Sequence, residues 1–135
     1  MEYRKSYRGL ALWLAGYTAS VFSPLLLPEG TDAGLVLRLV QNLTSAAIVV
    51  LLWIIWRTES VYWINGTTFE QARDAGSERR RAFAAAHLKP FGLFALGYAV
   101  FSAFTQLQGY GFVIDIAVFT AGIIAVAIST IRIRL

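Results

Sequence analysis

Arg38 and Asp115 each fall about one turn inside an otherwise apolar stretch, and theirs is the chemistry that first asks for an explanation. Contact with hydrocarbon is costly for such side chains, so they face other helices or a watery cavity, and they pair where they can. At similar depth in antiparallel helices, these two are expected to pair with each other. The polar residues after Arg38 are periodic: Arg38, Gln41, Asn42 and Ser45 follow i, i+3, i+4, i+7 and form one stripe of a helix. Ser102, Thr105 and Gln106 lie toward the same end of another stretch, as do Thr18, Ser20 and Ser23. Two uses of this constellation stay open. Such side chains often do no more than join helix to helix, at about 0.6 to 2 kcal/mol per bond. Alternatively Arg38, Gln41, Asn42, Ser45, Ser102, Gln106 and Asp115 line an outward-facing polar pocket, closed below by an apolar plug, that takes an ion or small polar molecule. No polar residue continues the stripe below Ser45, which argues against a continuous conduction path.

Other chemistries are excluded or unsupported. The chain has no cysteine, so disulfides, thiol redox steps and thiolate metal ligands are ruled out. A single histidine, His87, is too few for a histidine-based metal site. Asp115 has no acid-base partner of the usual kind beside it, so no catalytic constellation and no cofactor are expected. Net charge is +4, but the basic residues read as topology signals and not as a nucleic-acid groove.

The elements that must position these residues are long and apolar. With 57% apolar residues, 15% charged ones and a positive mean hydropathy, the 135-residue chain is too apolar for a soluble domain of its size. About 20 apolar residues cross a hydrocarbon core of about 30 Å. Four stretches meet that need: about 9–27, 34–56, 90–108 and 111–131. The predicted fold is an all-α integral membrane protein, one four-helix transmembrane domain over residues 1–135, built as two antiparallel hairpins. Pro24 should free a backbone carbonyl near Ser20. Pro90 suits the first turn of the third span. The first apolar stretch is too long, and its cleavage signals too unclear, for a secretory signal.

Basic residues assign the orientation. Arg4, Lys5 and Arg8, then Arg57, Arg73, Arg79, Arg80, Arg81 and Lys89, then Arg132 and Arg134 all fall on one side, while the opposite loops carry Glu29 and Asp32. The positive-inside rule puts both termini and the central loop, about 57–89, in the cytoplasm of a multi-pass cell-membrane protein. That loop is predicted to contain amphipathic helix: Asn65-Gly66 turns, Thr67 with Glu70 makes a capping box, Ala75-Gly76-Ser77 interrupts, and Ser77 caps a second segment through Ala82 to Leu88 that either stops before Pro90 or runs on into the third span. Phe69 and Phe83 are expected to dip into the interface. Arg79, Arg80 and Arg81 are expected at anionic lipid head groups, against a cytoplasmic partner, or as a contact site for an anionic ligand.

Ala117, Ala121 and Ala125 repeat at the small-xxx-small spacing and are expected at helix contacts, chiefly within the chain. Trp13, Trp53, Trp56, Tyr62, Trp63 and Tyr110 fall near span boundaries, as an aromatic belt requires. A bundle this small offers few buried positions, so a homo-oligomer or a larger membrane partner is expected. Length and span count are similar to small multidrug-resistance exporters. Those exporters use a carboxylate in the first helix, where this chain has none between Glu2 and Glu29. Two functional classes follow: a small transporter or channel-like protein, and a noncatalytic accessory or assembly subunit of a larger membrane complex.

Overall fold

The computed structural model describes residues 3–135, and every regular element among them is helical. The helices are α1 (Arg8–Phe22), α2 (Ala33–Thr58), α3 (Phe69–Asp74), α4 (Gly76–Leu107) and α5 (Phe112–Ile131), with 3₁₀ turns at Ser23–Leu26 and Val61–Trp63. Four segments, Arg8–Leu26, Ala33–Thr58, Gly76–Leu107 and Phe112–Ile131, are long and apolar enough to cross a membrane. Large apolar side chains such as Leu12, Leu96 and Ile128 point outward, while Arg38, Gln41, Ser102 and Asp115 are buried. That inversion of the soluble pattern is what a bundle solvated by lipid requires. The chain is built as a multi-pass membrane protein.

Local chemistry sets the helix ends. Pro24 has no N–H to give the Ser20 carbonyl, so α1 stops at Phe22. The freed carbonyl takes the Ser23 backbone N–H and, at 2.7 Å, the Ser23 hydroxyl. Asp32 opens α2 by accepting from the Leu35 N–H at 2.8 Å. The capping box of α3 lies one residue beyond the expected one: Thr68 accepts from the Gln71 N–H, and the Gln71 side chain accepts from the Thr68 N–H.

Pro90 lies inside α4 and does not begin it, because the segment through Ala82 to Leu88 runs on into the third span. A mid-helix proline forfeits the bond to the carbonyl four residues back, at about 3 kcal/mol. The run Ala82 to Leu88 is strongly helix-forming, and burial of Phe83, Ala84 and His87 against the rest of the chain helps offset that cost. At 32 residues, α4 is about 48 Å long. It therefore exceeds the ~30 Å hydrocarbon core by more than three turns. The connection from α2 to α4 is correspondingly shorter than the expected loop, and Ser77 caps nothing.

Gln106, near the end of α4, bonds Arg38 near the start of α2, whereas Arg80, near the start of α4, bonds Glu59 just beyond α2. The two helices thus run in opposite directions. Leu52, Ile55, Val61, Tyr62, Ala72, Phe83 and Ala84 form the buried apolar cluster at the Glu59 end. Phe83 belongs to this core, and Phe69 stacks on Tyr3 with ring centroids 5.4 Å apart, so both face protein, contrary to expectation. Between α4 and α5 the close approach is made by Gly122, where a Cβ would stand 2.3 Å from the Phe94 ring. Ala117, Ala121 and Ala125 are exposed and do not serve packing within the chain.

Candidate functional site

The stripe on α2 turns Arg38 toward the first turn of α5, which carries Asp115. Arg38 Nη2 donates to Asp115 Oδ2 at 2.8 Å and to the Tyr110 carbonyl at 2.8 Å, while Nη1 donates to Gln106 Oε1. The other carboxylate oxygen, Oδ1, accepts from the Thr105 hydroxyl at 2.7 Å. Asp115 is 0% exposed and Arg38 5%. The position of Asp115 at a helix N-terminus adds favourable dipole interaction to the ion pair. Gly34 leaves room for the guanidinium: a Cβ there would lie 3.2 Å from Arg38 Nη1.

The rest of the stripe extends the network. Asn42 Nδ2 donates to the Arg38 carbonyl at 2.8 Å and to Ser102 Oγ at 2.9 Å. Gln41 Oε1 accepts from the Tyr98 hydroxyl, and Ser45 Oγ donates to the Gln41 carbonyl at 3.0 Å. Arg38, Gln41, Asn42, Ser45, Ser102, Gln106 and Asp115 therefore do come together, drawn from α2, α4 and α5. Tyr98 joins them unforeseen. Its signal was in the sequence, because Tyr98, Ser102, Thr105 and Gln106 follow i, i+4, i+7, i+8 on α4.

The first helix does not contribute. Thr18, Ser20 and Ser23 bond back to the carbonyls of Leu14, Tyr17 and Ser20. Instead α1 reaches α2 through Trp13 Nε1, which donates to the Ala47 carbonyl at 2.8 Å, and through Tyr17 against Thr44. One donor is left over: Arg38 Nε is buried without a partner among the described residues.

A second polar centre, which sequence spacing did not show, forms at the opposite end of α2. Glu59 stands at the helix C-terminus in the left-handed conformation (φ 59°). That conformation costs a non-glycine residue roughly 1–2 kcal/mol. Arg80 clamps Glu59 Oε2 from Nε at 2.9 Å and Nη2 at 2.7 Å, while Arg81 Nε reaches Oε1 at 2.9 Å and Ser77 Oγ reaches it at 2.5 Å. Burial pushes the Glu59 carboxyl up, but the bonds from Ser77, Arg80 and Arg81 outweigh it and hold the group below its ordinary value. Tyr3 donates to the Glu59 carbonyl at 2.6 Å and lies 4.2 Å beneath the Arg80 guanidinium; burial, opposed by Arg80, pushes its phenol up to about 12.

The three consecutive arginines thus have three fates. Arg80 is buried in an ion pair, Arg81 pairs with Glu59 from an exposed position, and Arg79, among the described residues, bonds the Leu135 oxygen at 3.2 Å. Tyr62, Trp63 and Trp13 likewise bond protein groups as well as standing near helix ends.

Beside the Glu59 centre runs a groove of about 980 Å³ between α2, α4 and the residues following α5. Its floor includes Leu51, Leu52, Phe83 and His87, and its rim Arg79 and Arg134. No group of His, Asp and Glu side chains able to hold a metal occurs among the described residues. Comparison with protein-family models, curated proteins and solved structures found no match.

Proposed function

We propose that this chain is a noncatalytic accessory or assembly subunit of a membrane complex, with both termini and the Glu59 end on the cytoplasmic side and its four spans forming two antiparallel hairpins. The observation that carries this reading is the closure of the Arg38–Asp115 network. Both oxygens of the 0%-exposed Asp115 carboxylate are occupied by donors of the same chain, so the group is committed to joining α2, α4 and α5. A transported solute would have to displace bonds already made, at roughly 1.5–3 kcal/mol for each bond to a charged group. The basic residues at the Glu59 end support the orientation by the positive-inside rule.

One atom favours the alternative of a transporter or channel-like protein. Arg38 Nε has a hydrogen to donate and no acceptor, which a water or small anion entering past the exposed Gln106 would satisfy. The absence of cysteine makes the decisive experiment clean, because any introduced thiol is unique. Single cysteines at the exposed Ala121 or Leu96 are expected to cross-link to a discrete neighbour in native membranes, and one at Gln71 to be labelled only from the cytoplasmic side. Solute flux in vesicles containing the purified chain, abolished by Asp115→Asn, would overturn the accessory reading in favour of transport.

A further inference from the structure

The groove beside the Glu59 centre combines three features that the polar networks leave unused. Its apolar floor extends along α4 from Arg79 to Phe91 and along α2 from Ile55 back to Ile48. Twelve residues of helix make the α4 side about 18 Å long. One leaflet of hydrocarbon is about 15 Å deep, so the groove matches it in length. The α2 wall is apolar throughout, whereas the α4 wall begins with Arg79, beside which Arg134 follows α5, and ends at Phe91.

The mouth carries two arginines, and Arg79 Nη2 already donates to the Leu135 oxygen there at 3.2 Å. Asp74 lines it, but its carboxylate is taken by Arg73 Nε at 2.9 Å. Among the described residues, no Asp or Glu pairs with Arg79 or Arg134. Both arginines are exposed. Deeper in, His87 is 6% exposed, and its Nδ1 lies 3.0 Å from the Phe83 carbonyl. A carbonyl only accepts, so Nδ1 carries the hydrogen, and Nε2 has no hydrogen-bond partner among the described residues. A hydroxyl or water entering the groove supplies one.

We infer that this groove holds an acyl chain of an anionic phospholipid, with the phosphate against Arg79 and Arg134 and a headgroup or glycerol oxygen, or a water beneath it, within reach of His87. The length, the apolar floor and the exposed arginines at one end, neither paired with an Asp or Glu among the described residues, each call for the same amphiphile, and the charge complementarity favours an anionic headgroup over a zwitterionic one. The inference rests on the orientation proposed above, in which the mouth lies at the cytoplasmic head-group level.

The test is made on the full chain, delipidated in detergent and titrated with phosphatidylglycerol or with phosphatidylcholine of the same acyl chains. Bound lipid is counted by native mass spectrometry and the unfolding temperature is followed. The expected result is one phosphatidylglycerol retained per chain, with a rise in unfolding temperature that phosphatidylcholine matches only at higher concentration. The double variant Arg79→Gln/Arg134→Gln should weaken phosphatidylglycerol binding about thirtyfold, at roughly a factor of five per arginine, and leave phosphatidylcholine unchanged. Filling the groove with Leu51→Trp, or at its exposed rim with Ile131→Trp should the first not fold, should reduce both lipids. The exposed Arg132, outside the groove, is the control, and Arg132→Gln should change neither.

Equal binding of the two lipids by the unaltered chain would overturn the inference. So would an effect of Arg132→Gln as large as that of the pair, or equal stabilisation by glycerol phosphate, which has the anion and no chain. A chain that stays in carbonate-washed membranes yet retains no lipid would sink the groove assignment while leaving the membrane reading intact.

Discussion

An arginine–carboxylate pair stands at each end of α2, and the two centres are built on different physics. At one end Asp115 is fully buried and takes one guanidinium and one hydroxyl from helices far apart in sequence. At the other, Glu59 lies where a helix stops, keeps 15% of its side chain exposed, and gathers three donors from a single short stretch, Ser77 to Arg81. The first centre joins three spans across the bundle; the second fixes how the chain leaves one span and enters the next. Charge buried without relief tolerates no loss of a partner, whereas charge at a wet rim can be re-solvated.

The sharpest way to break the comparison is to remove one partner at each end. Asp115→Ala strands the Arg38 guanidinium in the bundle and is expected to cost about 3–5 kcal/mol in reversible unfolding in detergent. The double variant Arg38→Leu/Asp115→Leu should recover most of that loss, because two apolar side chains need no partner. A double variant as unstable as the sum of the single ones would mean that the pair is not the unit. Gly122→Val, which drives a side chain into the Phe94 ring, is expected to cost about 1–3 kcal/mol and to loosen α5 without touching either centre.

At the rim, Glu59→Gln is expected to cost about 2 kcal/mol, and the cost should shrink in high salt. Because folding lowers the Glu59 carboxyl below its ordinary 4.5, its contribution is complete above that pH and is lost as pH falls through the folded value. Acid unfolding of the unaltered chain should therefore be steeper below pH 4.5 than that of Glu59→Gln, and parallel curves would remove Glu59 from the account. The smallest effect belongs to Arg81→Gln. With the Arg81 side chain 58% exposed, this change should stay within about 1 kcal/mol. Arg80→Gln, from the buried side of the same carboxylate, should exceed it clearly.

The same contrast explains what could be seen beforehand. Arg38, Gln41, Asn42 and Ser45 announced themselves because a span is a regular helix, and regularity turns spacing into direction. Asp115 could be matched to Arg38 by depth alone, since the bilayer makes depth a coordinate that sequence can read. Tyr98 stands on the same face of α4 as Ser102, and spacing is the one sign of its role. Glu59 gave no comparable sign: its role depends on a left-handed turn and on an irregular connection that carries Ser77, Arg80 and Arg81 back to it. Pro90 misled in the opposite sense, because the local preference for a helix start lost to good helix formers on the N-terminal side and to the burial of Phe83, Ala84 and His87.

Sequence by itself determined four apolar helices, their limits to within a turn except at Pro90 and at the end of the first, and the polar stripe on the second. These follow from hydrocarbon thickness and helical period, which act on each segment alone. Tertiary structure decided that the stripe closes on Asp115 through hydrogen bonds, that Arg80 turns inward while Arg79 stays at a groove, and that α1 keeps its hydroxyls to itself. Those outcomes depend on which donors and acceptors meet when helices pack, and a hydrogen bond is satisfied by position in space and not by position in the chain.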